Sequence, residues 1–223
     1  MSLVPGRTAG RPAGTYFAGQ RTDLLGWYGG RCTRVLEVGC GAGGNAGWLR
    51  ANGAQRLVGI DVDAASIRAA AHEFDLAIND TVEAALPKLK ESFDLIVCAD
   101  VLEHLIDPTA VLGELASRLD PGGHVVASIP NIRHYRNLAR IAFGKGFAPE
   151  REGPFDATHL RFFTKSNIAA MLVAAGLEPV RWGASPPRRL ARVRRAVSRG
   201  PVAEYLTFQW FVEAGPGLAA DRA

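Results

Sequence analysis

Cysteine and long apolar runs are both scarce in this chain of 223 residues. The three cysteines, Cys32, Cys40 and Cys98, form an odd and widely spaced set. That set excludes a disulfide framework and lacks the paired spacing of a zinc site. No apolar run is long enough to span a bilayer, and the N-terminus lacks the apolar core of a signal peptide. Together these absences predict a soluble protein of the reducing cytoplasm.

A strong charge of one sign is also absent, since 26 basic residues face 22 acidic ones and the net charge is only +4. The exception is Arg188–Arg199, an arginine-rich stretch with aliphatic residues at spacings of three and four. As a helix it would be basic and amphipathic, which suits an anionic membrane surface or a lipid-linked substrate. A solvated outer face packed through three aliphatics fits the same pattern. No base-reading module is evident, so no nucleic-acid partner is predicted.

Strand-like and helix-like patterns alternate through the first half of the chain, beginning with "RVLEVG" and ending with "HVVASIPN". Such alternation predicts an α/β fold with a mostly parallel sheet and helices on both faces. A helix pattern, "TYFAGQRTDLLGWYGG", precedes the first strand. The predicted organisation is an N-terminal arm over 1–14, one domain over 15–213 and a tail over 214–223. Within the domain lie an insertion over 131–163 and the basic segment over 186–200.

The stretch "VLEVGCGAGG" reads as a buried strand that runs into a glycine-rich turn. Its glycines let the backbone approach a ligand closely. Asp61 follows about 20 residues later, where an acid can accept hydrogen bonds from ribose hydroxyls. A ribose occurs in both NAD and S-adenosylmethionine, so Glu37 decides between them. A carboxylate there repels a pyrophosphate but attracts the ammonium of S-adenosylmethionine. A buried structural pair with a helix N-terminus or an arginine is the alternative role of Glu37.

Four segments in order, "VLEVGCGAGG", "GIDVD", "FDLIVCADVLEHLIDP" and "LDPGGHVVASIPN", resemble the motifs of class I S-adenosylmethionine-dependent methyltransferases. The resemblance implies a Rossmann-like seven-stranded sheet whose last strand is antiparallel. "LEPVRWG" and "YLTFQWFVEA" can supply its closing strands. It also implies S-adenosylmethionine as cofactor. By position, the resemblance implies that Gly39, Gly41 and Gly43 line the methionine end of the cofactor and that Glu37 holds its amino group. Asp61 would bind the ribose and Asp80 the adenine. Asp100 would close over the cofactor beside the reaction site.

The insertion contains "PNIRHY" and "DATHLRFFT", which resemble segments of bacterial methyltransferases associated with sugars and surface polysaccharides. This resemblance implies that His134, Tyr135, His159 and Arg161 lie over the transferable methyl group. A neutral imidazole can accept a hydroxyl proton near pH 7, so His159 is the predicted general base and Asp156 its orienting partner. Equally, the two residues could simply pin the insertion to the sheet. The expected reaction is O-methylation of a sugar or glycan-precursor hydroxyl.

A second candidate source of catalysis is "DVLEH", in which Asp100, Glu103 and His104 stand at i, i+3 and i+4. One helical turn would gather them on a single face. A similar pattern binds magnesium in some quinone methyltransferases, which makes His104 a candidate catalytic residue and a quinone or polyketide hydroxyl the alternative acceptor. Glu103 and His104 could instead bond the helix start, and our prediction includes no metal site. A non-catalytic cofactor-binding scaffold is the alternative of a different class.

Overall fold

The structure is a computed structural model that describes residues 20–144, 146–185 and 202–217. Its centre is a seven-stranded sheet with the order β3-β2-β1-β4-β5-β7-β6. Strand β7 runs antiparallel to both of its neighbours, and the other pairs are parallel. The strands are β1 Arg34–Val38, β2 Arg56–Asp61, β3 Leu76–Asn79, β4 Phe93–Ala99, β5 Leu119–Pro130, β6 Leu177–Ala184 and β7 Gln209–Pro216.

Helices connect the strands and cover the sheet. They are α1 Thr22–Trp27, α2 Ala46–Ala51, α3 Ala64–Ala70, α4 Val82–Ala85, α5 Pro108–Ala116, α6 Tyr135–Phe143, α7 Lys165–Ala174 and α8 Val202–Leu206. Single 3₁₀ turns occur at Leu86–Lys88 and Leu102–His104. Among the described ranges, no helix combines the length and the hydropathy that a bilayer span requires.

The central strands are mostly apolar because both of their faces are buried. Successive side chains of a strand point to opposite faces, so Val35 joins one core cluster and Leu36 the other. Leu95 and Ile96 of β4 divide between the two clusters in the same way. Burial on both sides is the arrangement that parallel sheets require.

The strand order reverses beside β1, which pairs with β2 on one side and with β4 on the other. The connections from β1 and β4 therefore diverge at the carboxyl ends of these strands. In doubly wound sheets such a switch point is where ligands bind. The glycine turn follows β1 directly, at Gly39. The predicted seven-stranded Rossmann-like sheet with an antiparallel last strand is confirmed.

Two boundaries differ from the sequence prediction. The leading helix covers only Thr22–Trp27 within the described residues. The closing strand begins at Gln209 rather than Tyr205, because the preceding residues form α8.

Several predicted regions lie outside the described residues. They are the N-terminal arm over 1–14, the basic segment over 186–200 and the end of the tail from 218 onward. The predicted single domain over 15–213 stays a prediction.

Helix α7 begins with a reciprocal cap that can be tested directly. The Thr164 hydroxyl accepts a hydrogen bond from the Asn167 backbone amide at 3.2 Å, and the Asn167 side chain accepts one from the Thr164 amide. Thr164→Ala should lower the free energy of unfolding by about 1 kcal/mol and the melting temperature by roughly 2–4 °C. Thermal unfolding followed by circular dichroism measures the change. Thr164→Ser keeps the hydroxyl, so an equal loss in that variant would contradict the capping role.

Candidate cofactor and acceptor site

The glycine turn after β1 has a backbone that residues with side chains rarely adopt. Gly39, Gly41 and Gly43 have φ angles of 69°, 52° and 83°, all in the left-handed region. A Cβ atom on Gly39 would also lie 2.6 Å from a methyl carbon of Val101. Glycine is therefore required at this turn both for its backbone conformation and for the space beside the next loop.

Glu37 is buried beside this turn with half of its carboxylate unsatisfied. Its Oε1 atom accepts a hydrogen bond of 2.7 Å from the Asn45 side chain. Its Oε2 atom has no hydrogen-bond partner among the described residues. The pKa of Glu37 is raised to about 7, because burial and the charge of Asp61 together outweigh the opposing hydrogen bond from Asn45. An unpartnered buried acceptor next to a ligand-binding turn is suited to a cation such as an ammonium group.

Asp61, at the end of β2, braces the glycine turn. Its carboxylate accepts hydrogen bonds of 2.8 Å from the amides of Gly41 and Asp63. These two bonds fix the Asp61 carboxylate beside the glycine turn. Its contact with a ribose stays a prediction. Asp80 follows β3 and pairs with Lys88 at 2.6 Å. An adenine amino group at this position would share the carboxylate with that lysine.

Asp100 at the end of β4 adopts an unusual conformation within a polar network. Among the described non-glycine residues it alone has a positive φ, 58°. Its carboxylate accepts hydrogen bonds from Arg21, Ser128 and Gln209. Strained backbone of this kind persists where its surroundings hold it, which is common at functional sites. These bonds hold the Asp100 carboxylate next to Arg21, the residue before α1, and next to Gln209, the first residue of β7.

Arg21 is a site residue that sequence reasoning missed. Its side chain contacts Asp100, Ser128 and Gln209, and its backbone amide donates a hydrogen bond of 2.6 Å to Asn45. Asn45 in turn holds Glu37. The positions of Arg21 and Asp100 are 79 residues apart in the chain. Only a prediction of the folded contact could have revealed the pair, because a single arginine before the first strand carries no spacing signal.

A second cluster of titratable side chains forms between the loop after β4 and the insertion, which runs from residue 131 to residue 163. Glu103, His104 and His159 each bring one ligand atom within 4.8 Å of the others. Both carboxylate oxygens of Glu103 lack a hydrogen-bond partner among the described residues. Burial, reinforced by the charge of Asp100, raises the pKa of Glu103 well above its ordinary value. The imidazole rings of His104 and His159 are 4.6 Å apart between centroids.

Two sequence-based assignments are corrected by this cluster. His159 takes the third position that Asp100 was predicted to fill, because the bonds from Arg21 and Gln209 hold the Asp100 carboxylate elsewhere. His159 Nδ1 lies 3.1 Å from the backbone carbonyl of Pro154, which therefore has the orienting role predicted for Asp156. The Asp156 carboxylate accepts hydrogen bonds from the amide and hydroxyl groups of Thr158.

The remaining predicted acceptor residues divide between two places. Arg161 contacts the backbone carbonyls of Leu105 and Ile106, so it ties the insertion to the loop after β4. His134 is buried, packs against Tyr135 and Phe208, and has its pKa lowered by burial. A small pocket joins Glu103, His159 and Arg161 with Pro130, Ile132, Pro154, Phe162 and Phe163. Neither His134 nor Tyr135 lines it.

Residues 12–181 match the family model described as a methyltransferase domain. This chain belongs to that family. The predicted methyltransferase class and S-adenosylmethionine as its cofactor are thereby confirmed. The match extends over α1, the glycine turn and the insertion, and it includes every site residue described above except Phe208 and Gln209.

Curated relatives match the chain over about two thirds of its length. A probable S-adenosylmethionine-dependent methyltransferase of Mycolicibacterium smegmatis is 34% identical over 65% of this chain and 51% of its own. A ubiquinone biosynthesis O-methyltransferase of Ralstonia nicotianae is 29% identical over 66% of this chain and 63% of its own. The chain therefore spans about half to two thirds of the length of these relatives.

Solved structures share the fold at low identity. A methyltransferase structure from Archaeoglobus fulgidus has a TM-score of 0.65 and 18% identity, covering 87% of this chain and 90% of that one. The [4+2]-cyclase SpnF has a TM-score of 0.57 and 22% identity, covering 88% of this chain and 78% of that one. A cyclase with this fold shows that architecture does not fix the reaction, which must be argued from the site.

Glu37→Gln should stabilise the ligand-free methyltransferase domain. The pKa of Glu37 is raised from its ordinary 4.5 to about 7 on folding, so the folded state holds a proton that the unfolded state has lost. The free energy of unfolding therefore falls as pH rises through this window. Removing the carboxylate should restore about 3 kcal/mol above pH ~7 and almost nothing near pH ~4.

Thermal unfolding of both proteins across this pH range measures the difference. Glu114→Gln, at an exposed position of α5, is the matched control and should leave the pH dependence unchanged. A Glu37→Gln variant that gains no stability at the higher pH would show that the carboxylate is not buried as described.

Proposed function

We propose that this chain transfers the methyl group of S-adenosylmethionine to a hydroxyl oxygen of a small-molecule acceptor. The observation that carries the proposal is the cluster of Glu103, His104 and His159 at the end of β4, the strand next to β1. The glycine turn and Glu37 support the cofactor half of the site. The cluster supports the other half, because a hydroxyl nucleophile must lose a proton as it attacks.

His159 is suited to accept that proton. Its Nδ1 faces the Pro154 carbonyl, so this nitrogen carries the hydrogen and Nε2 keeps its lone pair. Nε2 lies 4.0 Å from a Glu103 oxygen. Ionised Glu103 at that distance would stabilise the imidazolium that forms when the hydroxyl proton is taken. Because the pKa of Glu103 is raised in the resting site, its ionisation has to accompany that step. The remaining catalysis is in-line positioning of acceptor oxygen and methyl group by the two halves of the site.

The pocket lining favours a planar aromatic acceptor. Pro130, Ile132, Phe162 and Phe163 surround the Glu103 and His159 pair. Apolar walls suit a phenolic ring better than a sugar, which needs hydrogen-bond partners for each of its hydroxyls. Arg161 and Pro154 complete the lining, and the pocket is closed in this structure, so an acceptor can enter only when the insertion moves. Relatives named as ubiquinone biosynthesis O-methyltransferases support the same acceptor class. The sugar or glycan-precursor acceptor stays a prediction and forms the second arm of the assay below.

A metal-assisted form of the same reaction is the second candidate. The Nδ1 atoms of His104 and His159 both face backbone carbonyls, which leaves both Nε2 atoms free to bind an ion. The partnerless carboxylate of Glu103 would supply the third ligand. One carboxylate and two imidazoles fit zinc, manganese or iron(II) better than magnesium, which prefers oxygen ligands. Bound there, such an ion would lower the pKa of the acceptor hydroxyl.

His159→Gln should lower kcat by about a hundredfold or more while S-adenosylhomocysteine binding stays within about twofold. Turnover of a catechol and of a nucleotide sugar is followed by mass spectrometry, and binding by calorimetry. His72→Gln, at an exposed position after α3, is the matched control. Equal loss of cofactor binding and turnover would contradict a role for His159 at the acceptor.

A chelator separates the two forms of the mechanism. If His159 acts as a base, wild-type turnover survives dialysis against a chelator. If the cluster holds a metal, dialysis abolishes turnover, zinc or manganese restores it, and His159→Gln lowers the metal content. Cofactor binding without turnover of any acceptor would instead favour the scaffold alternative.

Arg21 should recognise the carboxylate at the methionine end of the cofactor. The backbone amide of Arg21 donates a hydrogen bond to Asn45, and the Asn45 side chain donates one to Glu37, the residue predicted to bind the ammonium. Arg21→Gln should therefore weaken S-adenosylhomocysteine binding about tenfold to a hundredfold, since a charge-assisted hydrogen bond is lost. Methylthioadenosine has neither amino acid group, so its affinity should not change.

Calorimetric titration of both ligands measures this difference, with Arg31→Gln at an exposed position as the control. An equal loss for both ligands would mean that Arg21 only maintains the shape of the site.

A further inference from the structure

Helix α6 presents its apolar side to solvent. Tyr135, Leu138, Ala139, Ala142 and Phe143 occur at i, i+3, i+4, i+7 and i+8, and all five are exposed. Phe143 is the extreme case, with 92% of its surface accessible. Surface helices of globular proteins carry this spacing on the side that faces the core. In α6 the arrangement is inverted.

Polar contacts on the inner side hold α6 in this orientation. The Asn137 side chain is buried and donates a hydrogen bond of 2.9 Å to the carbonyl of Asn131. Arg140 bonds the carbonyls of Gly146 and Ala148 and pairs with Glu150 at 3.1 Å. Rotating the helix to bury its apolar stripe would break these bonds and leave buried polar groups unpaired.

The exposed apolar surface continues beyond the end of α6. Phe147 and Phe162 are 58% and 41% exposed, and their rings are 5.6 Å apart. Both pack on Phe155, and Arg140 of α6 lies 4.0 Å above the Phe155 ring. We call Tyr135, Leu138, Phe143, Phe147 and Phe162 the outer face of the insertion. Contiguous exposed apolar surface of this kind marks an interaction site.

Basic residues accompany this outer face. The insertion exposes Arg133, Arg136, Arg151 and Arg161, whereas its exposed acids are Glu150 and Glu152. Glu150 is already paired with Arg140, and Arg133 with Glu204. Arg161 bonds two backbone carbonyls but keeps its charge. An apolar helical stripe flanked by arginines matches the composition of helices that lie in the interface of an anionic bilayer. A two-fold contact between copies of the chain would instead bring the same arginines together.

We infer that the outer face of the insertion docks on an anionic lipid bilayer, with α6 lying in the plane of the interface. The same insertion closes the acceptor pocket through Phe162 and His159. Docking would therefore place the pocket beside the membrane, where an apolar acceptor is concentrated. That last step rests on the proposed function, whereas docking itself does not. Arg188–Arg199, the membrane contact predicted from the sequence, lies outside the described residues.

Flotation of the full chain with vesicles tests the inference. Phosphatidylcholine vesicles that contain phosphatidylglycerol should bind the wild type, and pure phosphatidylcholine or added salt should weaken binding. The double variant Phe143→Ser, Phe147→Ser should bind the anionic vesicles at least about tenfold more weakly. Both side chains are exposed, so the fold should survive. Val173→Ser, Val180→Ser removes two other exposed apolar side chains, each 61% exposed, and is the control.

Absence of wild-type binding, equal binding by the outer-face variant, or equal loss in the control would each overturn the inference. Sedimentation analysis that finds a dimer abolished by the outer-face variant would also overturn it, because a second copy would then be the occupant. Calorimetry with S-adenosylhomocysteine is run on every variant. Failure of the wild type to bind that ligand would contradict the proposed function, whatever the vesicles show.

Discussion

A carboxylate kept away from water at the end of the first strand is the constraint around which this site is organised. Glu37 is almost fully buried, one of its oxygens is satisfied by Asn45 and the other is not. Ionising such a group costs folding free energy unless a cation arrives. The left-handed glycine turn lies beside it, and we expect the ammonium of the cofactor to bind there. The folding free energy that the ligand-free protein loses when Glu37 ionises therefore favours the binding of a cationic ligand.

The second half of the site depends on the strand next to β1. Asp100 ends β4 in a left-handed conformation, and its bonds to Arg21 and Gln209 turn it away from Glu103. The Glu103 carbonyl accepts backbone hydrogen bonds of 2.9 and 3.2 Å from Leu160 and Arg161 of the insertion. These bonds bring His159 to the Glu103 carboxylate. In the proposed site, the insertion thus supplies one of the reacting groups as well as covering the pocket.

Glu37 and Glu103 are both buried carboxyl groups that, within the described part of the chain, lack hydrogen-bond partners on at least one oxygen. Burial raises the pKa of both carboxyl groups, and each has oxygen atoms without a partner among the described residues. Natural sequences keep such destabilising groups where activity requires them, so paired sites of this kind point to function. One carboxylate faces the cofactor turn and the other faces the acceptor pocket, as a transfer between two ligands requires.

By itself the sequence determined the sheet, the glycine turn and the positions of Glu37 and Asp61. These features depend on local rules: strand and helix periodicity, the need for glycine at positive φ, and fixed spacing along one strand-turn-strand unit. His159 was found in a different way, through the resemblance of the insertion to segments of other methyltransferases.

Only the tertiary structure decided which side chains meet. Arg21 reaches Asp100 across 79 positions, and His159 faces Glu103 while Pro154 orients it. The inverted face of α6 also appears only in the fold, because its apolar spacing alone predicts burial. Each of these contacts depends on long-range packing and on competition among polar groups for partners. Periodicity and spacing along the chain carry no information about that competition.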